Sequence, residues 1–232
     1  MEMEDRLHAL RHVYAVYDRF ARTIQTACEK FCARCCTRNV TATRLEALLL
    51  MDEIESKGLE SVNHVRETLQ GEPSERFRPA FTTNRLAEIC AAGGDPPPEP
   101  PADPAWGPCG LLTDDACPVY DARPFACRCM VSATRCAEGG AAEMTPLIVT
   151  VNTVFMQTVE HLDGDGFSGN LADLLAFLGD PDHRQTYRTG RPDPPPPGLI
   201  PNRPVPVLMV PPEHREAVRP WLEALHRLPP RG

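Results

Sequence analysis

Four cysteines fall within nine residues: Cys28, Cys32, Cys35 and Cys36, in the order C-x3-C-x2-C-C. A second set follows further along the chain: Cys109, Cys117, Cys127, Cys129 and Cys136. Structural disulfides rarely need such tight grouping, but soft-metal sites do. Thiolates gathered from two distant stretches are a usual way to hold zinc or an iron–sulfur cluster. Whatever fold the chain adopts must bring these two stretches together.

The 232 residues suffice for one large domain or two small ones. No charge-free apolar run approaches membrane-spanning length, so no membrane partner is expected. The opening MEMEDRLHALRHVY is charged and amphipathic and lacks the apolar stretch of a secretory signal, which predicts a cytoplasmic chain. In a reducing compartment ten cysteines point to metal rather than disulfides. A formal net charge of −8 argues against nucleic acid as a partner. Lys30 and Lys57 are the only lysines. The abundance of arginine, alanine and proline is the mark of a GC-rich coding sequence and carries no function.

The periodicity predicts a mainly α fold: a single helical domain over 5–180, with an irregular cysteine-rich metal-binding segment and a Pro-rich C-terminal arm. Leu7, Leu10, Tyr14, Tyr17, Phe20, Ile24, Ala27 and Phe31 recur every three or four residues. They predict an amphipathic helix of about seven turns with the first cysteine cluster at its C-terminal end. At about 100° per residue, Cys28, Cys32 and Cys35 then share about 60° of arc and Cys36 lies about 40° beyond Cys32. Thr43 and Glu46 form a capping-box pattern opening a second helix through Leu45, Leu48, Leu49 and Ile54, ended by Gly58. A shorter helix through Val62, Val65 and Leu69 follows, then one from Thr83 to Ala92 with Leu86, Ile89 and Cys90 on a shared face, which assigns Cys90 to the core.

The stretch GGDPPPEPPADPAWGP is an exposed loop. Cys109 to Cys136 reads as irregular, with turns at Pro118 and Pro124 and little periodic apolar surface. A metal is expected to supply its order. Helices are predicted from Pro146 to His161 and from Leu171 to Leu178. Between them, Asp163 to Gly166 (DGDG) resembles half a calcium loop, but Leu174 stands where that loop needs a glutamate. Residues 191–212 are too proline-rich for a helix or a central strand. They predict an extended arm anchored by Leu199, Ile200, Val207, Leu208 and Val210, or a segment that contacts a protein partner. A C-terminal helix over 213–228 carries Val218, Trp221, Leu222, Leu225 and Leu228 on one face.

Together with the upstream cysteine run, the string PCGLLTDDACPVYDARPFACR, Pro108 to Arg128, resembles the YkgJ-like cysteine-cluster family, a group described as zinc- or iron-chelating. The matching elements are Pro108-Cys109, Leu111-Leu112, Cys117 with Val119-Tyr120, Arg123-Pro124, Cys127-Arg128 and a last cysteine, Cys136. The resemblance covers roughly 28 to 136. It implies eight metal ligands: Cys28, Cys32, Cys35, Cys36, Cys109, Cys117, Cys127 and Cys136. Cys90 and Cys129 fall outside that pattern, with Cys129 near enough in sequence to substitute for a neighbour. Arg34, Arg123 and Arg128 are expected to place positive charge near the thiolates. Tyr120 offers a ring to pack or a hydroxyl to donate.

These readings make the chain a metal-binding protein, with zinc or an iron–sulfur cluster held by two cysteine blocks. Thiolate suits both metals. The alternatives are an iron–sulfur-dependent oxidoreductase or protein-modifying enzyme, or a metal-stabilised interaction module using the Pro-rich arm. The seven histidines are scattered, with only His8 and His12 sharing a helical face, and no nucleophile–base order or phosphate-cradling loop supports the enzyme directly.

Overall fold

The computed structural model describes residues 2–29, 31–58, 76–136, 142–191 and 193–230. The predicted helix through Val62, Val65 and Leu69 lies outside the described residues. The fold is mainly α, as the periodicity predicts. Its helices are α1 (Met3–Ala21), α2 (Arg44–Ser56), α3 (Thr83–Ala91), α4 (Phe125–Arg128), α5 (Pro146–Leu162), α6 (Leu171–Leu178), α7 (Pro181–Arg188) and α8 (Arg215–His226). A small sheet joins them: β1 (Thr41–Thr43), β2 (Phe167–Asn170) and β3 (Ile200–Pro201).

Helix α1 buries Leu7, Leu10, Tyr14, Tyr17 and Phe20, the first part of the stripe its spacing predicts, with Val13 beside them. It stops at Ala21, ten residues short of Phe31. The reason is local. The next residues include the β-branched Thr23, Ile24 and Thr26, which lose side-chain freedom in a helix. Their hydroxyls also offer the backbone other partners. Thr23 Oγ1 donates to the Phe20 carbonyl at 2.7 Å, and Thr26 Oγ1 accepts from the Cys28 N–H at 3.0 Å. The first cysteine block therefore lies on loop and turn, not on a helix face, and Phe31 is exposed with φ of 69°.

Helix α2 begins at the capping box. Thr43 Oγ1 accepts from Glu46 N at 3.2 Å, and Glu46 Oε2 accepts from Thr43 N at 2.8 Å. Gly58 follows its end at φ of 57°, the left-handed conformation that closes a helix. Strands β1 and β2 pair antiparallel, Thr41 opposite Asn170 and Thr43 opposite Ser168. Each strand runs directly into a helix, α2 or α6, so the pair sits at the centre of the domain. The core around it includes Tyr17, Phe125 and Phe155, with ring centroids 4.7 to 5.8 Å apart.

The Pro-rich arm lies extended along this centre. Ile200 and Pro201 pair with β2 as an edge strand. Gly169 makes the approach possible, because a Cβ there would stand 2.3 Å from Leu199 Cδ2. Of the apolar anchors expected, Leu199 and Val210 pack against the core, and others do not. Leu199 is buried, but Val207 and Leu208 are exposed. Polar side chains hold the backbone instead: Glu160 Oε1 accepts from Arg203 N at 2.8 Å, and Gln157 bonds both Val207 O and Met209 N. A proline-rich strand has few N–H groups, and buried polar side chains satisfy two of those that remain, at Arg203 and Met209.

Helix α8 packs on α1, burying Val218 and setting Trp221 edge-on to Phe20 at 5.3 Å. Leu228 lies past its end and is exposed. His8 and His12 each bond a main-chain carbonyl of this C-terminal segment, Pro229 O and Ala224 O, so they act as ties between segments. The DGDG segment is also engaged: the buried Asp163 accepts from Leu45 N at 3.1 Å, from Asn202 Nδ2 at 3.0 Å and from the Tyr187 hydroxyl. Among the described residues no helix is long and apolar enough to cross a membrane.

Candidate metal centre

The two cysteine blocks meet along the main chain. The Cys109 N–H donates to the Cys36 carbonyl at 2.9 Å, Arg38 N donates to Gly107 O at 3.1 Å, and Thr37 bridges Pro108. At the other end of the first block, the Ser132 carbonyl accepts from Ala27 N at 2.8 Å and from Thr26 Oγ1 at 3.0 Å. Arg135 pairs with Glu29 at 2.6 Å beside it. Between these attachments lies a cavity of about 340 Å³. Cys28, Cys32, Cys35, Cys36, Cys109, Cys117, Cys127 and Cys136 all line it.

The second block is not the loosely ordered segment its composition predicts. Leu111, Val119, Ala122, Phe125 and Cys129 are all core residues. A tight Asp114-Asp115 turn, both residues at positive φ, folds Thr113 back onto Ala116 through two hydrogen bonds of 2.9 Å. Two ties then fix Cys127. Glu46 Oε1 accepts from the Phe125 N–H at 2.6 Å and from the Tyr14 hydroxyl at 2.8 Å. Arg128 is buried against the Tyr14 ring at 4.1 Å and donates to Asp18, Arg123 O and Asp121 O. Arg128 is thus a clamp on the segment, and its charge is spent on Asp18 rather than on the thiols. No sequence-local signal marks Glu46 for this second role, because its partner Phe125 lies on the other cysteine block.

The remaining two basic residues do line the cavity. Arg34 is exposed at its edge. Arg123 stacks 3.7 Å over the Tyr120 ring and donates to the Tyr120 carbonyl, and its charge favours the thiolate forms of Cys35 and Cys117. Tyr120 is 51% exposed, a rim residue and not a core one. Phe31 and Met130 complete an exposed apolar rim.

Cys90 is not the core residue its helical face predicts, and Cys129 does not stand in for a neighbouring cavity cysteine. Helix α3 turns Asn84 and Ala87 toward α5, leaving Cys90 exposed. Cys129 is buried in the core with its Sγ bonded to Ala126 O at 3.5 Å. Neither lines the cavity.

Burial in this apolar setting pushes the Cys109, Cys117 and Cys127 thiols up, and Cys129 to about 12. Cys35 and Cys36 share a hydrogen bond that raises Cys35 and lowers Cys36, so Cys36 is the better thiolate of the pair. Cys36 also feels Cys127, Cys109 and Cys117 as neighbouring charges. Four thiolates so placed repel one another, and a bound cation reverses that balance. Among the described residues no three Cys, His, Asp or Glu side chains already stand as a coordination set. The sulfurs line a wall around a space. The donor set itself fits a soft metal, being all thiol and drawn from two segments.

The fold and the site together describe a mainly α domain with a cysteine-lined cavity between two chain segments. Comparison with protein-family models, with curated proteins and with solved structures finds no match to this chain.

Proposed function

We propose that this protein binds zinc or an iron–sulfur cluster through Cys28, Cys32, Cys35, Cys36, Cys109, Cys117, Cys127 and Cys136, as a cysteine-cluster protein of the YkgJ-like type. One observation carries the reading: all eight cysteines, drawn from two separate segments, line a single cavity. Eight unbridged thiols facing one space have no packing purpose that small apolar residues would not serve better. They would serve two tetrahedral zinc ions or one to two clusters. Bound metal supplies a Lewis acid in the first case and an electron store in the second. The chain's own residues supply the rest. Arg123 and Arg34 offset thiolate charge, Glu46 and Arg128 fix the Cys127 segment, and the apolar wall limits water.

Anaerobic purification followed by zinc, iron and acid-labile sulfide analysis tests the reading and separates its two forms. A brown, sulfide-containing protein establishes the cluster, and a colourless protein releasing zinc under acid establishes zinc. A protein that takes up neither metal after reconstitution in reductant overturns the reading.

A further inference from the structure

Two separate main-chain attachments join the cysteine blocks, and they divide the thiols. The first runs through Cys36 N-terminal to the Thr37–Pro108 bridge, where Cys109 N meets Cys36 O. Here the chain is held on all sides: Val119, buried in the core, lies two residues beyond Cys117, and the Glu46 and Arg128 ties flank Cys127. The second attachment runs from Thr26 and Ala27 to Ser132, next to Cys28 on one side and four residues before Cys136 on the other. Cys28 and Cys32 are exposed there, and the ion pair beside them, Arg135 with Glu29, has both partners more than half exposed.

Resting on the metal reading above, we infer that the cavity holds metal in two unequal compartments. Cys36, Cys109, Cys117 and Cys127 form a closed inner set built onto the core. Cys28, Cys32 and Cys136 form an outer set at the mouth, whose metal exchanges with solution, and Cys35, hydrogen-bonded to Cys36, stands between the two sets. The inner set supplies the four thiolates of a tetrahedral site, and the outer three with Cys35 supply a second. The backbone that carries the inner set is fixed by hydrogen bonds to the core. The outer set hangs on a solvent-exposed segment, which opens locally at low cost.

Zinc titration of the reduced, full-length apoprotein, with iodoacetamide footprinting read by peptide mass spectrometry, tests the division. At one equivalent of zinc, alkylation of Cys36, Cys109, Cys117 and Cys127 should slow roughly tenfold or more relative to the apoprotein, while Cys28, Cys32 and Cys136 keep their apoprotein rates. The second equivalent should protect the outer set. Inner substitutions carry a folding risk, so the variant is Cys28→Ser, on the exposed segment. It should keep the first equivalent with its protection pattern and lose the second. Parallel protection of all eight thiols, protection of the outer set first, or loss of both equivalents in Cys28→Ser would each overturn the division while leaving metal binding intact. Absence of protection at any zinc concentration would overturn the division together with the zinc form of the metal reading.

Discussion

The Phe125 N–H donates to Glu46 Oε1 at 2.6 Å, so one carboxylate both closes the capping box of α2 and seats the helix that carries Cys127. Burial holds the Glu46 pKa above its ordinary value, and its four hydrogen-bond donors limit that rise. Removing the carboxylate orphans the Phe125 N–H, the Thr43 N–H and the Tyr14 hydroxyl together.

Glu46→Gln should therefore destabilise by about 1–3 kcal/mol, since one amide nitrogen must face a donor. Glu46→Ala should cost more. Chemical denaturation measures the loss. Faster alkylation of Cys127 than of Cys28, relative to the unsubstituted protein, shows that the loss centres on the second block. Equal acceleration at both cysteines would place Glu46 outside the seating of that block.

Chelation should loosen the first cysteine block before the second. The second is held by Glu46, by Arg128 on Asp18 and by its own core residues, whereas the first hangs from a few hydrogen bonds. A strong chelator in reductant should lower Tm by about 2–4 °C for each kcal/mol of binding energy lost. Hydrogen exchange should rise first over 28–36. First loss of protection over 109–129 would contradict this order.

The two cysteines away from the cavity should separate cleanly. Cys90→Ser, at an exposed position, should leave both metal content and Tm unchanged. Cys129→Ser places a hydroxyl in the core beside Ala126 O and should cost about 1 kcal/mol with metal content retained. Cys32→Ser and Cys117→Ser should each lower the metal-to-protein ratio. Full ratios in both would show that the cavity thiols are not ligands.

Asp163 supplies a pH test. Burial pushes its carboxyl from the ordinary 3.8 to about 7, despite the bond from Tyr187. A carboxyl raised in the folded state binds its proton more tightly there than when unfolded. Its stability contribution is therefore full below about 4 and is lost as pH rises through about 7. Asp163→Asn stays neutral throughout. The stability of the unsubstituted protein relative to this variant should fall as pH rises from 5 to 7, by up to about 1.4 kcal/mol per pH unit. Paired urea titrations at pH 5 and pH 8 read the difference, and a pH-independent gap would show that Asp163 is ionised in the fold throughout.

Sequence alone determined the elements whose causes are local. The stripe of α1, the Thr43–Glu46 box, the helices beginning at Pro146 and Leu171 and the extended arm all follow from periodicity, capping chemistry or proline content, which act over a few residues. The cysteine spacing marked both segments of the candidate site. Tertiary structure alone decided the rest. It bonded Thr26, past the end of α1, to Ser132 of the other block, and it turned Arg128 away from the thiols onto Asp18 and Tyr14. It put Cys129 in the core and Cys90 in solvent, because α3 meets α5 through Asn84 and Ala87. A side chain's burial depends on which distant segment covers it, and periodicity within one segment carries no information about that cover.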